Sequence, residues 1–162
     1  MSVPDLNIRR YMDADLDAVI ALFTAAVHQG AAHHYSKAQR LAWAPVPPDR
    51  AAWQQRLEDC QVMLAEDDQG LAGFVGYRDT GHIVFLFTAP DRMRRGVAQA
   101  LYRPVEMALA QCGVPRLFTE ASRLARPFFE RQGYALDAEE TAIRNGVALP
   151  RFRMHKQLPP RR

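Results

Sequence analysis

Three arginines carry the clearest chemical signal in this chain. Arg92, Arg94 and Arg95 precede Gly96, where the apolar run Ile83–Phe87 gives way to a helical pattern; the stretch Ile83–Leu101 reads IVFLFTAPDRMRRGVAQAL. Cations at a helix start face the positive end of its dipole, at a cost of roughly 0.3–1 kcal/mol per exposed charge. An anion on the free backbone N–H groups there reverses the sign, so the stretch reads as a phosphate cradle. Three other groups invite chemistry. His82 opens the apolar run and is the side-chain type suited to moving a proton near neutral pH. Glu120 and Ser122 lie two apart in a strand-like segment and therefore share a face. His33, His34 and Tyr35 stand near Trp43; the two histidines lack a third ligand at a metal-site spacing, and no metal is expected.

The elements that must position these groups follow from periodicity. Leu6–Tyr11 is a short strand, and Asp13-Ala14-Asp15 opens a helix with acids in its favourable first turn. Leu16, Val19, Ile20, Phe23 and Val27 form that helix's apolar stripe, and Gly30 stops it. Ser36 caps a short helix that ends before Pro45, and Asp49 caps another through Trp53 and Leu57. The period then changes. Val62–Glu66, Leu71–Arg78 and His82–Thr88 are strands joined by tight turns at Asp67–Gly70 and Thr80-Gly81, hence an antiparallel meander. The third is apolar without alternation, which predicts burial on both faces.

A helix from about Arg94 to Gln111 follows, stopped by Gly113 and kinked at Pro104. Leu117–Ala121 is a strand, and a helix from about Arg123 or Leu124 ends at Gly133, with Pro127 tolerated in its first turn. Glu140–Arg144 and Val147–Lys156 flank Asn145-Gly146 as a hairpin. Residues 158–162 read as a frayed tail.

The 162 residues suffice for one domain, residues 1–162, with a sizeable core, and 48% apolar and 24% charged residues are ordinary for a globular protein. The formal charge of +3 hides an asymmetry: residues 1–91 hold 7 basic and 12 acidic side chains, residues 92–162 hold 14 and 6. A basic second half suits a polyanion, either nucleic acid or a phosphorylated cofactor. Cys60 and Cys112 lack metal or disulfide spacing, no signal peptide is evident, and no apolar run approaches a membrane span. A cytoplasmic protein that engages no membrane is expected.

The order of elements and two segments resemble the GNAT superfamily of acyl-CoA-dependent N-acetyltransferases. Met93-Arg94-Arg95-Gly96-Val97-Ala98 is similar to the family's Gln/Arg-x-x-Gly-x-Gly/Ala loop; Gly96 and Ala98 match and Met93 departs. Ser122–Tyr134, read SRLARPFFERQGY, looks like Asn-x-x-Ala-x-x-Phe-Tyr-x-x-x-Gly-Phe, with Ser122 in the Asn place and Phe129 in the Tyr place. The resemblance covers Leu6–Leu158. It implies an α/β (α+β) fold with a mixed, mostly antiparallel sheet of about seven strands flanked by helices, whose splayed central pair binds the cofactor.

The resemblance implies acetyl-CoA as cofactor, held by Leu86, Phe87 and Thr88 on the strand, by Met93, Arg94, Arg95, Gly96, Val97, Ala98 and Gln99 at the loop and helix start, and by Ser122 and Phe129. The strand's N–H groups near Leu86–Thr88 are expected to polarise the thioester carbonyl and to pair with the pantetheine arm. Glu120 and His82 are candidate bases, though Glu120 reads equally as a structural hydrogen-bond acceptor and His82 as a solvated turn residue. The family's Tyr, which protonates the leaving thiolate, is Phe129 here. Water or Ser122 takes that part, or Tyr134 does, or turnover is inefficient; Tyr134 reads more readily as core. His33, His34, Tyr35 and Trp43 fall where the family binds its acceptor, as pocket wall or as loop surface.

The function implied is acetyl transfer from acetyl-CoA to a primary amine of a small molecule or peptide, by direct attack in a ternary complex; a homodimer is compatible with it. The alternative is an acyl-CoA-binding or partner-binding module with little or no turnover. A nucleic-acid partner is not expected, because the arginines cluster at two helix starts rather than along one stripe. A Walker-type site is excluded, since no Lys-Ser/Thr follows the glycine.

Overall fold

Short turns dictate the three-strand meander in the first half of the sheet, to which the first strand is added from across three helices. In the computed structural model, which describes residues 5–160, β1 (Asn7–Arg10), β2 (Gln61–Asp67), β3 (Gly70–Tyr77) and β4 (His82–Thr88) pair antiparallel in that order. A crossover through α4 (Val97–Gln111) then allows the parallel pairing of β4 with β5 (Arg116–Ala121). β6 (Ala135–Arg144) and β7 (Val147–Gln157) form the Asn145-Gly146 hairpin, with Asn145 at φ 49° and Gly146 at φ 76°. β7 inserts beside β5, so the spatial order is β1-β2-β3-β4-β5-β7-β6, a mixed and mostly antiparallel sheet of seven strands.

Helices cover both faces. α1 (Leu16–Ala25) follows a 3-10 turn at Asp13–Asp15 and runs into a π-helical turn at Ala26–Gly30. α2 (Lys37–Trp43) begins at a capping box in which the Ser36 hydroxyl accepts from Gln39 N and the Gln39 side chain accepts from Ser36 N. α3 (Arg50–Glu58) is capped by Asp49, which accepts from Ala52 N at 3.0 Å. One apolar cluster joins Val19, Phe23, Trp53 and Leu57 to Leu64, Phe74 and Phe85; the other joins Val97, Leu101, Tyr102 and Val105 to Ala65, Val75, Ile83 and Leu117. Sequence neighbours Leu64 and Ala65, or Phe74 and Val75, enter opposite clusters because strand side chains alternate.

Four expectations need correction. α4 starts at Val97 rather than near Arg94, because Arg94 (φ 64°) and Gly96 (φ 83°) take left-handed conformations that no helix can include. Pro104 lies inside α4, as the sequence places it. α5 (Arg126–Arg131) starts later than Arg123, because the Ser122 hydroxyl accepts from Ala125 N at 3.1 Å and closes a turn first. β6 begins at Ala135, well before Glu140. Leu158 is not frayed: its N–H donates to Pro115 O at 2.9 Å and its side chain packs on the core, while residues 161–162 of the expected tail lie outside the described residues.

Candidate active site

The site grows from a defect in the sheet. β4 and β5 share only the pairs His82↔Phe118 and Ile83↔Thr119, and the buried Thr119 hydroxyl donates to Ile83 O at 2.9 Å where the strands part. On the other side of β4, Tyr77 pairs with Ile83 but Gly76 pairs with Phe85, which leaves Val84 as one extra residue, a β-bulge. Bulges bend a strand and increase its twist, and this one lies where β4 leaves β5. Beyond it, Ala89 N donates to Ala72 O at 2.8 Å. Alternation therefore turns the N–H groups of Phe85 and Phe87 toward β3 and those of Leu86 and Thr88 into the gap. The uniform burial expected for β4 fails for the same reason. Ile83 and Phe85 are buried, whereas Val84, Leu86, Phe87 and Thr88 border open space and are only partly covered.

On one side of the gap lies a cavity whose walls are Leu86, Phe87 and Thr88 of β4, the loop residues Met93 and Arg94, and Gly96, Val97, Ala98 and Gln99 at the start of α4. Ser122 and, from α5, Pro127, Phe128 and Arg131 complete it. No side chain caps α4, so its first N–H groups face the cavity with no acceptor from within the helix. Gly96 takes a left-handed φ of 83° with open space where a Cβ would stand, so no side chain intrudes on the loop at that point. The residues fit an anion cradle. Two expected members do not belong. Arg95 lies outside the cavity wall, and Phe129 lines the other side of the gap. Arg92, though on the wall, is committed to Asp67, to which its Nε and Nη2 donate at 3.0 Å each, and to Asp91.

On the other side lies a second cavity of about 240 Å³, lined by His82, Glu120, Ser122 and Phe129 among others. The two cavities share Trp43, Leu86, Phe87, Ser122 and Ala125, so they meet across the bulged strand. Here the structure joins two residues that the sequence offered separately: His82 Nε2 lies 2.7 Å from Glu120 Oε2, and the imidazole stacks on Phe118 with ring centroids 4.7 Å apart. The hydrogen bond from His82, against the opposing effect of burial, holds the Glu120 carboxyl below the usual carboxylate range.

The expected acceptor residues divide. Tyr35 and Trp43 line this second cavity, but the Tyr35 hydroxyl donates to Pro150 O at 3.1 Å and accepts from Arg123 N at 2.8 Å, which makes it a strut. His33 is exposed and outside both cavities, and His34 stands on the cofactor side, its carbonyl accepting from Arg123. Both are carried outward by the turn between Gly30 and α2. Tyr134 is core: its hydroxyl lies 2.9 Å from that of Tyr102, which donates to Glu106, and it reaches neither cavity. Arg56, Arg144, Arg151 and Arg131 line the cavities without having been signalled in the sequence, where each is one surface arginine among many. Among the described residues no group of three or more His, Cys, Asp or Glu converges as a metal site, and no helix is long and apolar enough to cross a membrane.

A sheet parted at its centre, with free strand N–H groups between an uncapped helix start and a carboxylate, matches a known domain. A family model described as "Acetyltransferase (GNAT) domain" matches residues 31–158, and the chain belongs to the GNAT acetyltransferase family. It is 33% identical over 150 residues to the uncharacterized N-acetyltransferase YafP of Escherichia coli K12, spanning 93% of this chain and 95% of that one. The peptidyl-lysine N-acetyltransferase YiaC of the same organism is 29% identical over 131 residues, 78% of this chain and 82% of that one. The crystal structure of a GCN5-related N-acetyltransferase from Rhodopseudomonas palustris aligns with a TM-score of 0.92 at 30% identity, covering 98% and 99% of the two chains.

Proposed function

We propose that the chain, as one domain, transfers an acetyl group from acetyl-CoA to a primary amine by direct attack within a ternary complex. The observation that carries this reading is the meeting of the two cavities across Leu86 and Phe87, with an anion cradle on one side and the Glu120–His82 pair on the other. The cofactor supplies an acetyl group already activated as a thioester. The chain's own residues then have four tasks. The N–H groups of Val97, Ala98 and Gln99, with the Arg94 side chain, hold phosphate. The N–H groups of Leu86 and Thr88 bind the arm as a strand would and polarise the carbonyl. Glu120, ionised throughout the neutral range, draws the acceptor's ammonium into the cavity and takes its proton, with His82 beside it as the way out. Ser122, on the shared wall, hydrogen-bonds the leaving sulfur and, as the carbon–sulfur bond breaks, relays to it the second proton that the attacking nitrogen gives up, so that its own hydroxyl is restored. Its oxygen accepts from Ala125 N, which leaves its own proton free to donate.

The free cysteines Cys60 and Cys112 agree with the cytoplasmic location expected from the sequence. The test is release of CoA from acetyl-CoA that depends on added amine, for the native chain and for Glu120→Gln. The substitution is expected to lower kcat/KM roughly a hundredfold, within the usual range for loss of a positioned base. Because the Glu120 pKa is depressed, its carboxylate is charged on both sides of neutrality; the rise of rate with pH should therefore follow the acceptor's own ammonium and keep its inflection in Glu120→Gln. Loss of the inflection in the variant would assign the titration to Glu120 and overturn this division of labour. Tight acetyl-CoA binding with no turnover across a broad amine panel would favour the binding-module reading that Phe129 motivates.

A further inference from the structure

The acceptor cavity holds more positive charge than the transfer chemistry uses. Arg56 of α3, Arg144 at the end of β6 and Arg151 of β7 all line it, although they come from separate parts of the sequence. Arg151 is neutralised, since its Nε donates to Glu140 at 2.6 Å. Arg56 and Arg144 are not: neither forms an ion pair with any described carboxylate, and Arg144 Nη1 donates only to the carbonyl of its neighbour Ile143, at 3.4 Å, among the described residues. The Arg56 guanidinium instead lies over Trp53 at 4.5 Å and Phe85 at 4.7 Å, which fixes it against the cavity wall. Desolvation against those rings, and next the positive charge of Arg144 on the same cavity wall, lower the Arg56 pKa. The cofactor side has its own cations in Arg94 and Arg131, and neither Arg56 nor Arg144 lies on that side.

Two like charges facing one cavity, one of them held in place by aromatic rings, form a receptor for an anion. The same cavity holds the Glu120 carboxylate, which suits an ammonium. At about 240 Å³ it is smaller than the usual range for drug-sized ligands and suits a compact molecule. We propose that the acceptor is a small amine that also carries an anionic group, a carboxylate or a phosphonate, and that Arg56 and Arg144 are the pair that selects it. The placement of the amine at Glu120 rests on the acetyltransferase reading above; the anion preference rests on the arginines.

The experiment compares acetylation, by the full chain, of 3-aminopropanoate, 4-aminobutanoate and 6-aminohexanoate with their neutral amides, with 2-aminoethylphosphonate, and with a lysine-containing peptide. At the chain length that spans the cavity, kcat/KM for the anionic amine should exceed that for its amide by roughly tenfold to a hundredfold, as expected for a charge-assisted guanidinium contact. Arg56→Gln and Arg144→Gln should each collapse that ratio mainly through KM, while thermal stabilisation by CoA stays unchanged. The carboxylate and phosphonate arms decide which anion is preferred. Equal or better use of the amides or of the peptide, or a ratio that survives both substitutions, overturns the proposal. If no amine is acetylated at all, the same ligand pairs are compared by thermal shift. An anion preference abolished in both variants then upholds this inference while the acetyltransferase reading falls, and its absence overturns the inference as well.

Discussion

By the resemblance in sequence Phe129 takes the place of the family's proton donor, and it is hydrocarbon, 2% exposed, with the rings of Tyr102 and Tyr134 edge-on around it. A thiolate is a modest base, so the burden that moves elsewhere is small, and Ser122 is the hydroxyl that both cavities share. Ser122→Ala should lower kcat by roughly a hundredfold, the low end for a positioned acid, with little change in KM for acetyl-CoA. Phe129→Tyr should change little in the native background and recover activity in the Ser122→Ala background; steady-state kinetics of the two single variants and the double variant check this. A large gain from Phe129→Tyr alone would mean that nothing fills the role in the native chain. At this scale the sequence was legible in residue types but not in pairings. His82 and Glu120 were each chemically suggestive, yet they are 38 positions apart, and their contact depends on the register His82↔Phe118 between two strands that scarcely pair.

The start of α4 shows how an element can be recognised and still misplaced. Gly96 marked the loop correctly, but the helix begins after it because Arg94 is itself left-handed, held between Arg92 clamped to Asp67 and the turn at Gly96. Local periodicity carries no sign of that clamp, which ties the loop to the β2–β3 turn. Gly96→Ala isolates the conformational requirement, since an added Cβ would meet nothing within 4 Å. The left-handed φ of 83° should cost about 1–2 kcal/mol in stability by the usual penalty for an L-residue there. If the bound phosphate needs the same loop shape, KM for acetyl-CoA should rise with it. Chemical denaturation and the KM measurement together check both halves; unchanged values would mean that the loop has another conformation available. β6 and α5 were misjudged at their starts for a related reason. Pairing with β7 extends the one, and the Ser122–Ala125 turn delays the other.

Over the whole molecule, the parted sheet coincides with the division of charge along the chain. Residues 1–91 supply β1–β4 and carry 7 basic against 12 acidic side chains; residues 92–162 supply β5–β7, α4 and α5 and carry 14 against 6. The cleft between them is thus the boundary between an acidic half and a basic half, and a phosphorylated ligand approaching it is drawn to the basic side, where the cradle lies. The rate constant kcat/KM for acetyl-CoA should therefore fall as ionic strength rises, more steeply than that for a neutral acceptor; a flat salt profile would remove long-range steering from the account. Fold order and charge asymmetry were legible because turns, periodicity and composition are local or additive. The parting was legible only through the family resemblance; locally it coincides with one extra residue, Val84, in a strand whose apolar character gives no hint of it. That bulge has a further consequence. Sheet edges are ordinarily a hazard, since their unpaired N–H and C=O groups recruit strands from other molecules and seed aggregation. β4 carries such an edge in the middle of the sheet instead of at its rim, facing a cavity that residues of α4 and α5 help to wall. The protein can keep an adhesive strand permanently on offer because helices, and not a further strand, flank the gap it faces.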